Sequence, residues 1–341
     1  MARAQDRPHR HARDFEDHLH APGRHRRRDD PPGLPFVMKP SLLFATALLV
    51  NSVHADSPGL QQAVDAAVAA TRAEFTAPEL KAEQIAVTVV DLRGDGPRWA
   101  HHRGDERHYP ASVIKLFYLA YAHHLLETGA LSDSPELQRA LRDMTVESYN
   151  DATATVVDHI SGATGGPELP PAELAAWHDK RMAVTRWFEA QGYRNVLAVR
   201  KTWAEGPYGR EKQDADANPP RRNFLSTNDT ARLLLEIAQG RCVTPARSAQ
   251  MLGLMERDLV KAAATGDADC EGVGFTGPAL SPGMKLWSKA GWTSWTRHDA
   301  ALIGLPGGRR VIIVTFTEAT DHADNRQIIA AVARRVLASL P

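Results

Sequence analysis

Apolar residues recur at helical spacing across Gly59–Phe75, which predicts an amphipathic helix. Gln84–Leu92 (QIAVTVVDL) then switches to a β-branched run, the pattern of a strand. Arg93-Gly94-Asp95-Gly96-Pro97 is turn-rich, and Arg98–His101 returns as a second strand. From Ser112 to about Glu127 the periodicity is helical again, carried by Ile114, Leu116, Phe117, Leu119, Ala120, Leu125 and Leu126. Further helices are predicted at Pro135–Met144, Tyr149–Ile160, Pro171–Gln191, Thr227–Gln239 and Pro245–Arg257. Gly162–Pro171 and Gly206–Arg222 read as loops, and the second is long enough to suggest a functional one. Met284–Trp292, Asp299–Leu305 and Arg309–Glu318 read as strands, the last two joined by Pro306-Gly307-Gly308. Arg326–Leu340 closes the chain as a helix. Strands near both chain ends with helices between them predict an α+β fold. Its mainly antiparallel sheet is built from both chain ends, flanked by terminal helices, with an inserted all-helical lobe. The α/β part is expected over 56–110 and 258–341, and the helical part over 111–257.

The N-terminal pattern is different. Residues 1–37 hold eight arginines, six acids and five histidines with hardly any apolar residue. Such a stretch buries too little surface to offset its ordering entropy and is expected to be a disordered basic extension. Met38-Lys39-Pro40, the apolar run Ser41–Val50 and Val53-His54-Ala55 together resemble a secretory signal over 38–55. Met38 is then the expected true start, with a long basic leader as the alternative. Arg26-Arg27-Arg28 lacks the residues that follow the pair in twin-arginine export. Export to the periplasm or the medium is the expected localisation.

Beyond residue 55 acids outnumber bases by three, and no basic stripe remains, so nucleic acid is not an expected partner. Nor is a membrane span expected once the signal is removed, because no other apolar segment is long enough. Cys242 and Cys270 are the two cysteines; an oxidising compartment permits a disulfide between them, and two separate thiols are the alternative. Neither has metal-ligand spacing, and the pairs His101-His102 and His123-His124 form no ligand set, so no metal or cofactor is expected.

Three short motifs carry candidate chemistry. Ser112-Val113-Ile114-Lys115 is the one Ser-x-x-Lys in the chain, placed where a strand-rich segment gives way to an apolar helix. A serine there meets unpaired N–H groups, and a lysine three residues on shares its helix face. A buried lysine in a cationic site loses its proton readily and serves as a base. The alternative is a capping serine with a solvated lysine. Ser-x-Asn occurs at Ser148-Tyr149-Asn150 and at Ser226-Thr227-Asn228; the second directly precedes an apolar run and reads as a helix cap. Lys289-Ala290-Gly291 sits on a predicted strand, whose edge suits an extended substrate and whose lysine suits a carboxylate. The alternative is a solvated lysine beside a bulge glycine.

The three motifs in this order, with Tyr109-Pro110-Ala111 before the first, resemble the class A β-lactamase type of penicillin-recognising serine hydrolase from about Gln84 to Glu318. The resemblance implies Ser112 as nucleophile, Lys115 as base or relay and Ser148 as proton carrier to the leaving nitrogen. It also implies substrate binding by Asn150, Lys289, Gly291, Trp292 and Arg297, with the Ser112 and Trp292 N–H groups as oxyanion donors. Ala290 departs from the family's hydroxyl residue, which Thr293 or Ser294 would replace. The family's Glu-x-x-Leu-Asn deacylation motif is missing; Glu205, after a tryptophan, is the nearest candidate and Glu211 the runner-up. The implied activity is β-lactam hydrolysis through an acyl-serine. The expected substrate is a small β-lactam or a peptidoglycan-peptide-like molecule; a D-Ala-D-Ala peptidase or small-ester hydrolase with slow deacylation of β-lactams is the first alternative, and a non-catalytic envelope binding protein the second.

Overall fold

The computed structural model describes residues 55–203, 206–217, 219 and 221–340. The basic extension and nearly all of the leader lie outside them. Seven strands build one sheet: β1 (Ala55–Asp56), β2 (Ile85–Arg93), β3 (Gly96–His102), β6 (Glu256–Arg257), β7 (Lys285–Trp292), β8 (Thr296–Gly304) and β9 (Arg310–Glu318). Their order is β1-β3-β2-β9-β8-β7-β6, and every pairing except β1 with β3 is antiparallel. The short strands β4 (Val196–Leu197) and β5 (Phe224–Leu225) pair separately. The helices are α1 (Pro58–Glu74), α2 (Lys115–Thr128), α3 (Pro135–Thr145), α4 (Asn150–Ser161), α5 (Pro171–Arg181), α6 (Ala183–Ala190), α7 (Gly209–Ala215), α8 (Thr227–Ala238), α9 (Pro245–Met255), α10 (Leu259–Ala264) and α11 (Gln327–Ser339).

Alternation along β2 explains the layering. Ile85, Val87 and Val89 pack with Leu60, Val64 and Val68 of α1 and Ile328, Val332 and Val336 of α11. Val90 points the other way, into a core shared with α2, α8 and α9. Both faces are covered, so the central strands read as continuous apolar runs rather than alternating ones. The lobe is organised around α2, apolar on nearly every side and buried along most of its length. It ends at Gly129, whose φ of 74° is the left-handed cap conformation glycine adopts without steric cost. Ser226 caps α8 by accepting from the Asp229 N–H at 3.1 Å, the role its sequence context suggests.

Three expectations are corrected. The predicted helix over Pro171–Gln191 is two helices, separated at Met182 beside the fully buried Arg181. The predicted loop Gly206–Arg222 contains α7. That helix has no apolar face; buried Glu211 pairs with Arg181 (2.6 Å), and buried Asp214 with His178 (2.8 Å) and Arg221 (2.5 Å). Apolar periodicity is silent about a helix fastened by charge. Cys242 and Cys270 are free thiols: the first is sealed in the core of the lobe, the second half-buried in the turns before β7.

Candidate active site

Ser112 sits in a 3₁₀ turn, Ala111–Ile114, that leads directly into α2. Ala111 takes φ 46°, a conformation costly for a residue with a Cβ and held only by surrounding structure. The preceding segment is fastened to the sheet. His298 accepts the Thr317 N–H at Nδ1 (3.1 Å), so its Nε2 carries the proton donated to the Tyr109 carbonyl (2.8 Å). Burial pushes this imidazole down to about 4, which keeps it neutral. The Tyr109 N–H in turn donates to Glu318 Oε1 (2.8 Å), and Glu318 also approaches His108.

Lys115 opens α2 and is wholly buried. Its Nζ lies 2.6 Å from the Ser148 carbonyl, 3.0 Å from Asn150 Oδ1 and 3.1 Å from Ser148 Oγ. Ser148 is presented by a φ of 58°, immediately before α4. Burial, with the Lys289 charge adding to it, pushes the Lys115 ammonium down to about 6. A neutral amine donates twice, to the carbonyl and to Asn150, and keeps its lone pair for a serine hydroxyl. The other end of Asn150 donates to the Trp203 carbonyl at 3.0 Å, tying the site to the following loop.

Lys289 is also fully buried, and its charge is already met. Its Nζ contacts Glu271 and the Ala290 carbonyl, and the Ala290 N–H donates to the second Glu271 oxygen (3.1 Å). Arg257 completes the cluster at 2.6 Å from Glu271. The same guanidinium holds the carbonyls of Thr145 (3.1 Å), Val146 (3.2 Å) and Ser288 (2.7 Å). One ionic cluster thus joins the segment that leads to Ser148 to the strand that carries Lys289. Arg257 and Glu271 belong to no short motif, and His298 and Glu318 were likewise not singled out from sequence. The available hint was a run of polar residues, Arg297-His298-Asp299, on a strand that is buried on both faces.

Gly291 brings β7 against the turn that carries Ser112. A Cβ there would lie 2.5 Å from the Ser112 nitrogen and 2.9 Å from that of Val113. Edge strand β6 pairs only with Leu286 and Trp287. Gly291 and Trp292 therefore lie past the end of β6, which leaves that margin of β7 without a neighbouring strand among the described residues.

Arg297 is not presented to this cleft. It is the register partner of Trp292, one residue before His298, which pairs with Gly291 and faces Tyr109. Period-two alternation therefore turns Arg297 to the opposite face. There it stacks over Phe275 (4.3 Å) and binds Asp269 (2.6 Å) and the Gly274 and Ala323 carbonyls. Glu211 is committed to Arg181 and to Lys201 (3.2 Å). Glu205 lies outside the described residues. The Thr293 hydroxyl is engaged within the β7–β8 turn, 3.0 Å from that of Thr296. Ser112, Lys115, Ser148, Asn150, Lys289 and Gly291 are thus brought together by direct contacts or the charges just described, as the walls of a candidate cleft; Arg297 and Glu211 are not part of it.

This constellation, a 3₁₀ turn and the first residue of α2 facing a Ser-x-Asn loop and a Lys-x-Gly strand, is compatible with acyl transfer from a serine without a catalytic histidine. Solved structures share this fold. A β-lactamase from Sphaerobacter thermophilus DSM 20745 superimposes with a TM-score of 0.58 at 18% identity, covering 82% of this chain and 98% of that one. PBP-A gives 0.57 at 17% identity, covering 83% and 96%. A β-lactamase from Chitinophaga pinensis DSM 2588 gives 0.55 at 16%, covering 82% and 97%. At these identities the likeness establishes the fold alone. No curated protein matches the chain. A family model described as the β-lactamase enzyme family matches residues 133–340, which takes in the second and third motifs and begins after the first. With the fold, the ordered motifs and a match over more than half its length, the chain belongs to the β-lactamase enzyme family and has its serine-hydrolase fold.

Proposed function

We propose that this protein opens β-lactam amides by forming an acyl-serine on Ser112. Neutral Lys115 takes the Ser112 proton as Oγ attacks the lactam carbonyl. The N–H groups of Ser112 and Trp292 hold the oxyanion. Ser148 relays the proton to the departing nitrogen as the C–N bond breaks, and Asn150 binds the substrate amide. Export to the periplasm, expected from the leader, would place the enzyme where such compounds arrive. The observation that carries the reading is the buried Lys115 amine, held between Ser148 and Asn150 with its proton affinity lowered to about 6.

Intact-mass spectrometry after brief exposure to benzylpenicillin tests it. One penicillin per chain, mapped to the Ser112 peptide and lost in Ser112→Ala, is expected. A variant that still carries the adduct, or a wild type that neither binds covalently nor hydrolyses the drug, would refute it.

A second reading keeps the acylation and slows the release, as in a peptidase inhibited by penicillin. It is favoured by Glu211, whose carboxylate is occupied by two cations instead of being free to activate water. A mutant of PBP-A has been solved as an acyl-enzyme complex with penicillin-G. An adduct that persists for hours selects this second reading; one that clears within minutes selects a true β-lactamase.

A further inference from the structure

A cavity of about 240 Å³ adjoins the cleft. Three of its walls continue residues already described. Tyr109 stands three positions before Ser112, Thr293 follows Trp292, and Trp203 supplies the carbonyl that binds Asn150. Lys115 and Ser148, the groups on the leaving-nitrogen side, do not line it. On the acyl-serine reading, with Trp203 tied to Asn150, the cavity would flank the acyl half of a bound substrate.

Its lining combines cations with aromatic rings. Tyr109 stacks on Trp295 at 5.2 Å, giving a flat apolar wall. Lys201 is neutralised by Asp158 (2.8 Å) and Glu211. Arg200 and Arg222 have no ion-pair partner among the described residues. Arg200 is nevertheless held firmly. Its N–H donates to Asn223 Oδ1 (2.9 Å), its carbonyl accepts from Tyr118 (2.5 Å) and Asn223 (2.9 Å), and its guanidinium reaches the Arg221 carbonyl (3.0 Å). A partly buried guanidinium on a fixed backbone, with no carboxylate in hydrogen-bond contact among the described residues and only the more distant charges of Asp214 and Glu211 nearby, is suited to bind an anion, and the exposed Arg222 stands beside it. Meanwhile both positions that the family resemblance offers for a substrate carboxylate are filled internally, Lys289 by Glu271 and Arg297 by Asp269.

We infer that this cavity is a subsite for acyl donors whose side chain carries a carboxylate beside an aromatic or apolar body, the anion read by Arg200 and Arg222 and the body by Tyr109, Trp295 and Trp203. The inference rests on the acyl-serine reading for its orientation, and the test separates the two.

Acylation of Ser112 is timed with two penicillins that differ in one group, benzylpenicillin and its α-carboxylated counterpart carbenicillin. The wild type should favour carbenicillin by at least about tenfold in second-order rate, the worth of one charge-assisted hydrogen bond. Arg222→Gln should bring that ratio near one, and Arg222→Glu should invert it. Phenylmalonate, which cannot acylate, is titrated in parallel by tryptophan fluorescence, with Arg200→Lys as a second variant. Saturable phenylmalonate binding that weakens in Arg222→Gln, with no adduct from either penicillin, keeps the subsite and removes the acyl-serine reading. Normal acylation with no preference for carbenicillin, or a preference that Arg222→Glu leaves intact, overturns the subsite. So does the absence of phenylmalonate binding when neither penicillin acylates.

Discussion

Gly291→Ala is the smallest change that challenges the site, and the structure sets its size. Gly291 lies in ordinary extended backbone, so alanine costs nothing in conformation. The added Cβ would come within 2.5 Å of the Ser112 nitrogen, 2.9 Å of the Val113 nitrogen and 3.0 Å of the Pro110 carbonyl oxygen. All three are backbone atoms, and none can swing aside. Restoring normal contact requires the turn and β7 to part by about 1 Å. The turn resists, because Val113 N–H is bonded to the Pro110 carbonyl at 3.0 Å and Tyr109 is clamped by His298 and Glu318. Overpacking of this kind destabilises by about 1–3 kcal/mol. Losing the alignment of one oxyanion donor costs about 10²–10³ in rate, or about 2.7–4 kcal/mol. Stopped-flow acylation with a fluorescent penicillin reads the second, and a melting curve the first. A Gly291→Ala protein that melts slightly lower yet acylates at the wild-type rate would refute the argument that this contact sets the nucleophile's position.

Other outcomes follow from the same geometry. On the proposed role of neutral Lys115 as the base, acylation should rise with pH along a limb centred near 6, and Lys115→Arg should abolish it; a flat rate from pH 5 to 7 counts against the lysine base. For stability the sign is also set: the unfolded lysine binds a proton up to about 10.5 and the folded one only to about 6, so the burial penalty grows as pH falls through that window and is constant below it. Glu271→Gln leaves Arg257 and Lys289 buried without a counter-charge and should lower unfolding free energy in urea by about 3–5 kcal/mol, with Lys289→Met restoring part of it in the double variant. Glu211→Gln should likewise destabilise, by about 3 kcal/mol, while the lifetime of a penicillin adduct stays as in wild type; a longer-lived adduct would make Glu211 the deacylating base.

The elements that sequence revealed are those with an apolar face. The buried strand β2, the all-apolar α2 and the capped α8 were legible because burial dictates their composition. The site residues legible in advance were those in short motifs, where spacing along one helix turn fixes proximity. What escaped was long-range and electrostatic. Arg257 meets Thr145 across 112 positions and Glu271 across 14, and no local pattern announces either. Arg297 was misplaced for a subtler reason. Reading β8 as starting at Asp299 hid the fact that the strand begins at Thr296, and with it which face an arginine one residue before His298 must take. One step of register is the whole difference between a substrate ligand and a structural cation.

The Arg257–Glu271–Lys289 cluster reaches from the sheet to the lobe through Arg257, which holds the Thr145 and Val146 carbonyls, and that has a consequence for how the molecule comes apart. Prising the seam open strips the Arg257 guanidinium from the Thr145 and Val146 carbonyls, which leaves a largely buried cation short of acceptors. Partial unfolding that spares one wall of the cleft is thus penalised more heavily than unfolding of an outer helix. Amides of the Thr145–Ser148 segment and of β7, both held by Arg257, are therefore expected to exchange together, as one cooperative unit.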